Sequence, residues 1–331
     1  MTYQHDSNSK NACSQDFSLD SVPMVSHLGA LWERRVSRYF PLECIHPEGS
    51  FSRLDEADSC IPGSLVYCQN LNYLRKANSN DNVSVIVTTP ELAREPITPS
   101  KSVVSVKDPR MTFFQLYTEL MPLEFPLDRL SGKIGRDCII HPSAVISQHC
   151  KIGDRVEIGP NAVIGDNVEI CDDVFIDANV VLGAEGLMTL RNEDGSLLRI
   201  KHHGGVYIGR GTMIYAGAVI VRSLFASPTT IGKNVQIGVL TNIGHGARIG
   251  DMTVVSGNSV IAGRVTVGKN VWIGAASSVA QGLFIGDRTQ IKMGSVVVAN
   301  TIDGAVISGN FALPHTITAR NHSRMLRNAE I

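Results

Sequence analysis

From Ile134 an aliphatic residue recurs at every sixth position: Ile140, Ile146, Ile152, Ile158, Ile164, Ile170, Ile176 and Leu182. The register returns at Ile208, Ile214 and Ile220, slips by five residues, and then runs in sixes from Ile231 through Ile243, Ile261 and Ile285 to Val297. Two residues before the hits stand small or branched residues, such as Cys138, Ala144, Cys150, Val156 and Ala162. A period of two inside a period of six means a short strand with two inward positions, followed by a turn. Glycine with Asp or Asn close behind follows many hits, as in Gly153-Asp154, Gly165-Asp166-Asn167 and Gly250-Asp251. These residues tolerate positive φ at a corner. A single such coil cannot bury its own apolar face, so the repeats must stack as a parallel β-helix.

Composition agrees with thin coils. Between Ile134 and Val298 lie 24 of the 30 glycines but only 6 of the 19 aromatic residues. Twelve aromatics precede the repeats, where residues 18–121 mix helical stretches (HLGALWERRV, ELARE, MTFFQLYTEL) with β-rich runs (SLVYC, VSVIVTT, SVVSVK). That mixture predicts a small α/β domain. Pro122 and Pro126 mark a linker over 122–133, the solenoid occupies 134–300, and residues 301–331 form a tail with one short helix. Residues 1–17 are polar and read as disordered. Between Leu182 and Ile208 the register fails over a charged stretch, so 184–207 must loop outward, to cover a groove or reach a neighbouring chain. A shorter interruption, RSLFASP, spans 222–228.

Several functional classes are disfavoured. A net charge of −1 without basic clusters leaves no footprint for nucleic acid. Seven cysteines with no CxxC pair argue against a disulfide framework, and Cys138 and Cys150 fall at inward positions as small hydrophobes. No metal-ligand spacing occurs, so no metal is expected; no apolar run reaches bilayer length, and the chain reads as cytoplasmic. One residue breaks the repeat: His245, in TNIGHGARIG, takes a corner position elsewhere filled by Asp, Lys or Arg. An imidazole there is either a surface side chain or a proton acceptor titrating near neutrality.

The repeats resemble those of the hexapeptide acyltransferases, which implies a left-handed β-helix with three hexads per coil. Further motifs narrow the likeness: YCQNLNY, SVVSVKDPRMTFFQLYTEL, VVLGAEG, DGSLLRIKHHGGVYIG, IGHGARIG and VVVANTIDGAVISG follow one another in order. In this order they resemble the UDP-3-O-acylglucosamine N-acyltransferases of lipid A biosynthesis. The resemblance implies a mainly β fold, with a small N-terminal α/β uridine-binding domain and a short C-terminal helix. It implies His245 as general base, the Gly263 backbone N–H as oxyanion donor, and Tyr67, Asn70 and Tyr73 as the uracil site. His202 and His203, on the return arm of the long loop, are candidate substrate contacts. A homotrimer is implied, with no bound cofactor and the acyl group arriving as an acyl carrier protein or CoA thioester.

Departures from that pattern keep alternatives open. Gly238, Val239 and Leu240 stand where the family has Asp-Asn-Gln, Gly246 where Asn follows the base, and Gly282 where a second His occurs. The C-terminal extension shortens to about the last 15 residues. The first reading is N-acylation of a UDP-linked glucosamine-type sugar by a 3-hydroxyacyl group from acyl carrier protein. The others are a CoA-dependent N-acyltransferase on another nucleotide-linked amino sugar, and a non-catalytic solenoid.

Overall fold

The computed structural model describes residues 34–59, 61–124, 132–309 and 314–328. From Lys133 to Ile307 the chain winds through three parallel sheets of eight, eight and nine strands, most of them two residues long. Away from the interruptions and the last coil, strands pair with those 18 residues further on, Ile146 with Ile164, Ile158 with Ile176 and Ile249 with Val267, so three hexads close one coil. The fold is mainly β, and its hexapeptide coils fit the left-handed parallel β-helix that the resemblance implies, an exception to the right-handed rule for other parallel crossovers. Inward residues form one continuous core from Cys150 to Val297. Where Ser or Thr takes an inward position its hydroxyl donates to a backbone carbonyl, as Thr253 does to Gly268 at 2.9 Å, which satisfies a group that burial would otherwise penalise. Corner asparagines such as Asn161, Asn167 and Asn258 adopt φ of 56° to 57°.

The last pairing, Ile291 with Ile307, carries the solenoid past the 300 expected from the repeat. A separate helix, α3, runs over His315–Asn328. At the other end, a sheet ordered 45–46, 102–105, 83–88, 64–68, 53–54 is parallel apart from its first pair. Two helices accompany it, α1 at Leu71–Asn78 and α2 at Pro109–Glu124. α2 begins at Pro109, a residue suited to a first helical position, and buries Phe113, Phe114 and Tyr117. One helical expectation fails: ELARE yields one 3-10 turn at Leu92–Arg94. Most of HLGALWERRV lies outside the described residues, and its end, Arg34–Arg35, forms a strand against Ser50–Phe51. The segment expected to be disordered, 1–17, and most of the linker lie outside the described residues. Among the described residues no helix is long and apolar enough to cross a membrane.

Both interruptions leave from the same corner on successive coils. Pairing of Ile170 with Ile208 and of Ile208 with Ile231 brackets insertions of 20 and 5 residues relative to an 18-residue coil. The longer one carries a hairpin, Thr189–Arg191 against Leu197–Arg199. Two of its apolar residues, Leu190 and Ile200, are buried with Leu224 and Phe225 of the shorter insertion against Phe113 and Tyr117, while Leu187 and Leu197 stay exposed. The Phe225 ring meets Phe113 at 6.0 Å and Tyr117 at 5.5 Å, and the Tyr117 hydroxyl donates to the Leu224 carbonyl at 2.6 Å. The two insertions are the seat on which the N-terminal domain docks.

Candidate functional site

Docking sets two clefts side by side. The first, about 460 Å³, is lined by Tyr67, Gln69, Asn70 and Tyr73 together with Glu56, Ala57 and Arg264. Tyr67 stands next to the end of the Ser64–Cys68 strand and packs tilted and edge-on against Phe113 and Phe114, at 5.0 and 5.6 Å between ring centres, so the core of the domain fixes its ring. Tyr73 on α1 is 42% exposed. Asn70 is the N-cap of α1 and its side-chain oxygen accepts from the Tyr73 N–H at 3.1 Å. Its amide nitrogen remains as a donor.

The second cleft, about 420 Å³, lies between Asp55, Glu56, Asp58 and Ser59 of the N-terminal domain and Ser223, Leu224, Phe225, Ser227, Pro228, His245, Gly246, Arg248 and Arg264 of the solenoid. His245 occupies the corner one coil beyond the shorter insertion, and its ring lies over Gly263: a Cβ there would stand 2.5 Å from Nε2. Among the described residues the Gly263 N–H makes no hydrogen bond, whereas the matching corner N–H groups of Lys233 and Lys269 donate to aspartates. Burial, then the neighbouring His202 and Arg264, pull the His245 imidazole down to about 4. It is neutral at pH 7.

Glu56 and Arg264 belong to both clefts, joined by an ion pair at 3.0 Å. Burial pushes the Glu56 carboxyl up to about 7 even though Arg264 faces it. Neither residue stood out in the sequence. Arg264 takes a left-handed corner position, φ 62°, as Arg155 and Arg288 also do, so its residue type carried no signal in the sequence.

The structure brings His245 and Gly263 together, and Tyr67, Asn70 and Tyr73 into one cleft. It places His202 and His203 elsewhere than as exposed loop contacts. His203 packs against Tyr117 at 5.8 Å and is pulled to about 4 by burial, with Lys201 adding. His202 is fully buried behind the second cleft, its ring 5.3 Å from that of His245. Gly246 sits at φ 65°, a conformation Asn also tolerates, so that departure preserves the corner. Val239 and Leu240 are exposed at the far end of the Asn242–Ile243 strand from His245, and open space surrounds Gly282.

Comparison with known proteins follows the same division. Residues 132–166 and 149–184 match the bacterial transferase hexapeptide (six repeats), and residues 228–262 and 264–299 match the hexapeptide repeat of succinyl-transferase. The chain is similar to UDP-3-O-acylglucosamine N-acyltransferase of Coxiella burnetii, 34% identical over 228 residues, covering 61% of this chain and 65% of the relative. The same-named protein of Chlorobium luteolum is 37% identical over 82 residues, 25% of this chain and 23% of the relative. A solved UDP-N-acetylglucosamine acyltransferase from Campylobacter jejuni has a TM-score of 0.48 at 23% identity, covering 54% of this chain and 68% of that one. The chain thus spans 65% of the length of the Coxiella relative.

Proposed function

We propose that the protein is an N-acyltransferase that moves a (3-hydroxy)acyl group from a thioester to the amine of a UDP-linked glucosamine-type sugar. The observation that carries this reading is the pair of clefts meeting at Arg264: an aromatic one suited to a flat base, and one that presents a neutral imidazole. Stacking on Tyr67 and Tyr73 holds uracil, and the Asn70 amide donates to a ring carbonyl. Arg264 and Arg248 are the cations nearest the seam, where a diphosphate bridging the clefts would lie. The sugar amine then reaches His245. Amine attack on the thioester creates an N–H far more acidic than that of the free amine, so an imidazole weakened by burial still accepts its proton. The Gly263 N–H, free of other partners, stabilises the oxyanion. The names of the similar proteins support the same chemistry.

The donor in this reading is acyl carrier protein. A CoA thioester is the second reading, favoured by Gly238, Val239 and Leu240 standing in place of Asp-Asn-Gln. The assembly is a homotrimer, supported by apolar side chains left exposed on the flat solenoid faces, including Met213, Val260, Trp272 and Val296. The test is mass-spectrometric detection of amide product from a UDP-amino sugar with acyl carrier protein and CoA thioesters of varied length. His245→Ala should lower turnover about 10²-fold or more. No product from any donor would leave only the non-catalytic solenoid, and a fully active His245→Ala would remove the base.

A further inference from the structure

The longer insertion begins with Glu185 and closes with His202, and these two feet are tied together. One Glu185 oxygen accepts the His202 backbone N–H at 2.7 Å and the His202 Nδ1–H at 3.2 Å. A carboxylate can only accept, so a neutral His202 carries its proton on Nδ1 and keeps a lone pair on Nε2. That Nε2 is buried and meets no hydrogen-bond partner. The ring fits only because residue 186 is glycine: a Cβ there would lie 2.5 Å from Nε2. On its other side stands the His245 ring, tilted by 68°. A buried acceptor without a protein donor calls for an explanation.

We propose that His202 is a positioning residue for His245, held by Glu185 so that its Nε2 accepts a hydrogen bond from the imidazolium formed when the acceptor amine is deprotonated. The inference rests on the acyl-transfer reading. As the C–N bond forms to the thioester carbonyl, the amine proton passes to His245; the C–S bond then breaks and the thiolate leaves with that proton. Between these steps His245 carries a charge in a half-buried corner. The charged and titratable groups facing the pair are Glu185, Arg199, Arg222 and His203 around His202, Arg264 beside His245, and Asp55, Glu56, Asp58 and Arg248 across the cleft. Among the described residues Glu185 is the anion hydrogen-bonded to the His202 ring, so its charge is the one placed to favour a proton shared by the pair. The chain thereby draws a second imidazole from an earlier coil, on the side away from Gly282.

The test uses the full chain. Imidazole ¹⁵N spectra should show His202 as the Nδ1–H tautomer, and Glu185→Gln, which removes a charge at constant shape, should make His245 harder to protonate. In steady-state assays Glu185→Gln should lower kcat about tenfold or more with the acceptor KM within twofold, and move the acid limb of the pH profile to lower pH. His202→Gln, whose amide oxygen can still accept, should keep more activity than His202→Leu. If a His202 variant loses thermal stability, Glu185→Gln carries the decision alone. An unchanged kcat and pH limb in a stable Glu185→Gln variant overturns the proposal, as does a raised KM with kcat intact. A wild-type chain that transfers no acyl group fails the acyl-transfer reading itself, and unmoved His245 resonances in Glu185→Gln separately deny the coupling.

Discussion

Gly263→Ala separates the position of His245 from its chemistry. A Cβ at residue 263 would stand 2.5, 2.8 and 2.9 Å from three atoms of the His245 ring, where ordinary contact begins at 3.4 Å. The imidazole must therefore retreat by about 1 Å, a misplacement that costs on the order of 10²-fold in rate when the displaced group handles the reacting proton. Gly263 does not occupy the left-handed region, so alanine brings no backbone strain. The stability change is then about 0.4–1 kcal/mol gained from a stiffer unfolded chain against about 1–3 kcal/mol of overpacking, a net loss between about zero and about 2.6 kcal/mol. The N–H is retained, so the oxyanion donor survives. Turnover measured by product mass, alongside the melting temperature, should show a folded enzyme slowed about 10²-fold. The Gly263→Ala/His245→Ala double variant should be no slower than His245→Ala alone, because both changes remove one function. Wild-type turnover in a stable Gly263→Ala variant would refute the idea that the ring acts from its place over Gly263.

Further outcomes follow from the two clefts. Tyr73→Ala should leave the melting temperature nearly unchanged, since the ring is exposed, and weaken UDP binding about tenfold in titration calorimetry. Tyr67→Ala should weaken binding and also cost about 2 kcal/mol or more, because its ring packs on Phe113 and Phe114; equal stability effects at the two positions would contradict this. Stability should fall with acid below pH 6.5. His203 and His245 are held near 4 when folded but titrate at 6.5 when unfolded, so between those values the unfolded chain binds more protons. Glu56, raised from 4.5 to about 7, has the opposite sign, since the folded chain holds its proton across that window. Glu56→Gln should therefore steepen the loss of melting temperature between pH 6.5 and 4.5, and an unchanged slope would discount the carboxyl's displaced titration.

What was legible in the sequence was what repeats locally. An inward Ile every six residues leaves a coil no other face to bury, so Ile134 to Val297 declared the solenoid, and His245 was conspicuous as a corner that broke its own rule. The destinations of the insertions were not legible, because Leu190, Ile200 and Phe225 find partners in Phe113 and Tyr117, remote in sequence. Glu56 escaped notice for the same reason: it stands among ordinary acidic residues and gains meaning only when docking sets it against Arg264, 208 positions later. His202 and His203 show the limit most clearly. Adjacent residues in an extended segment face opposite ways, so one ring meets Tyr117 and the other His245, and no count of charges in the loop distinguishes them. The departures at Gly238 to Leu240 were visible at once. They stand at the opposite end of the strand that leads to His245, so whatever they change acts beyond that corner and leaves the imidazole, its glycine floor and the aromatic cleft in place.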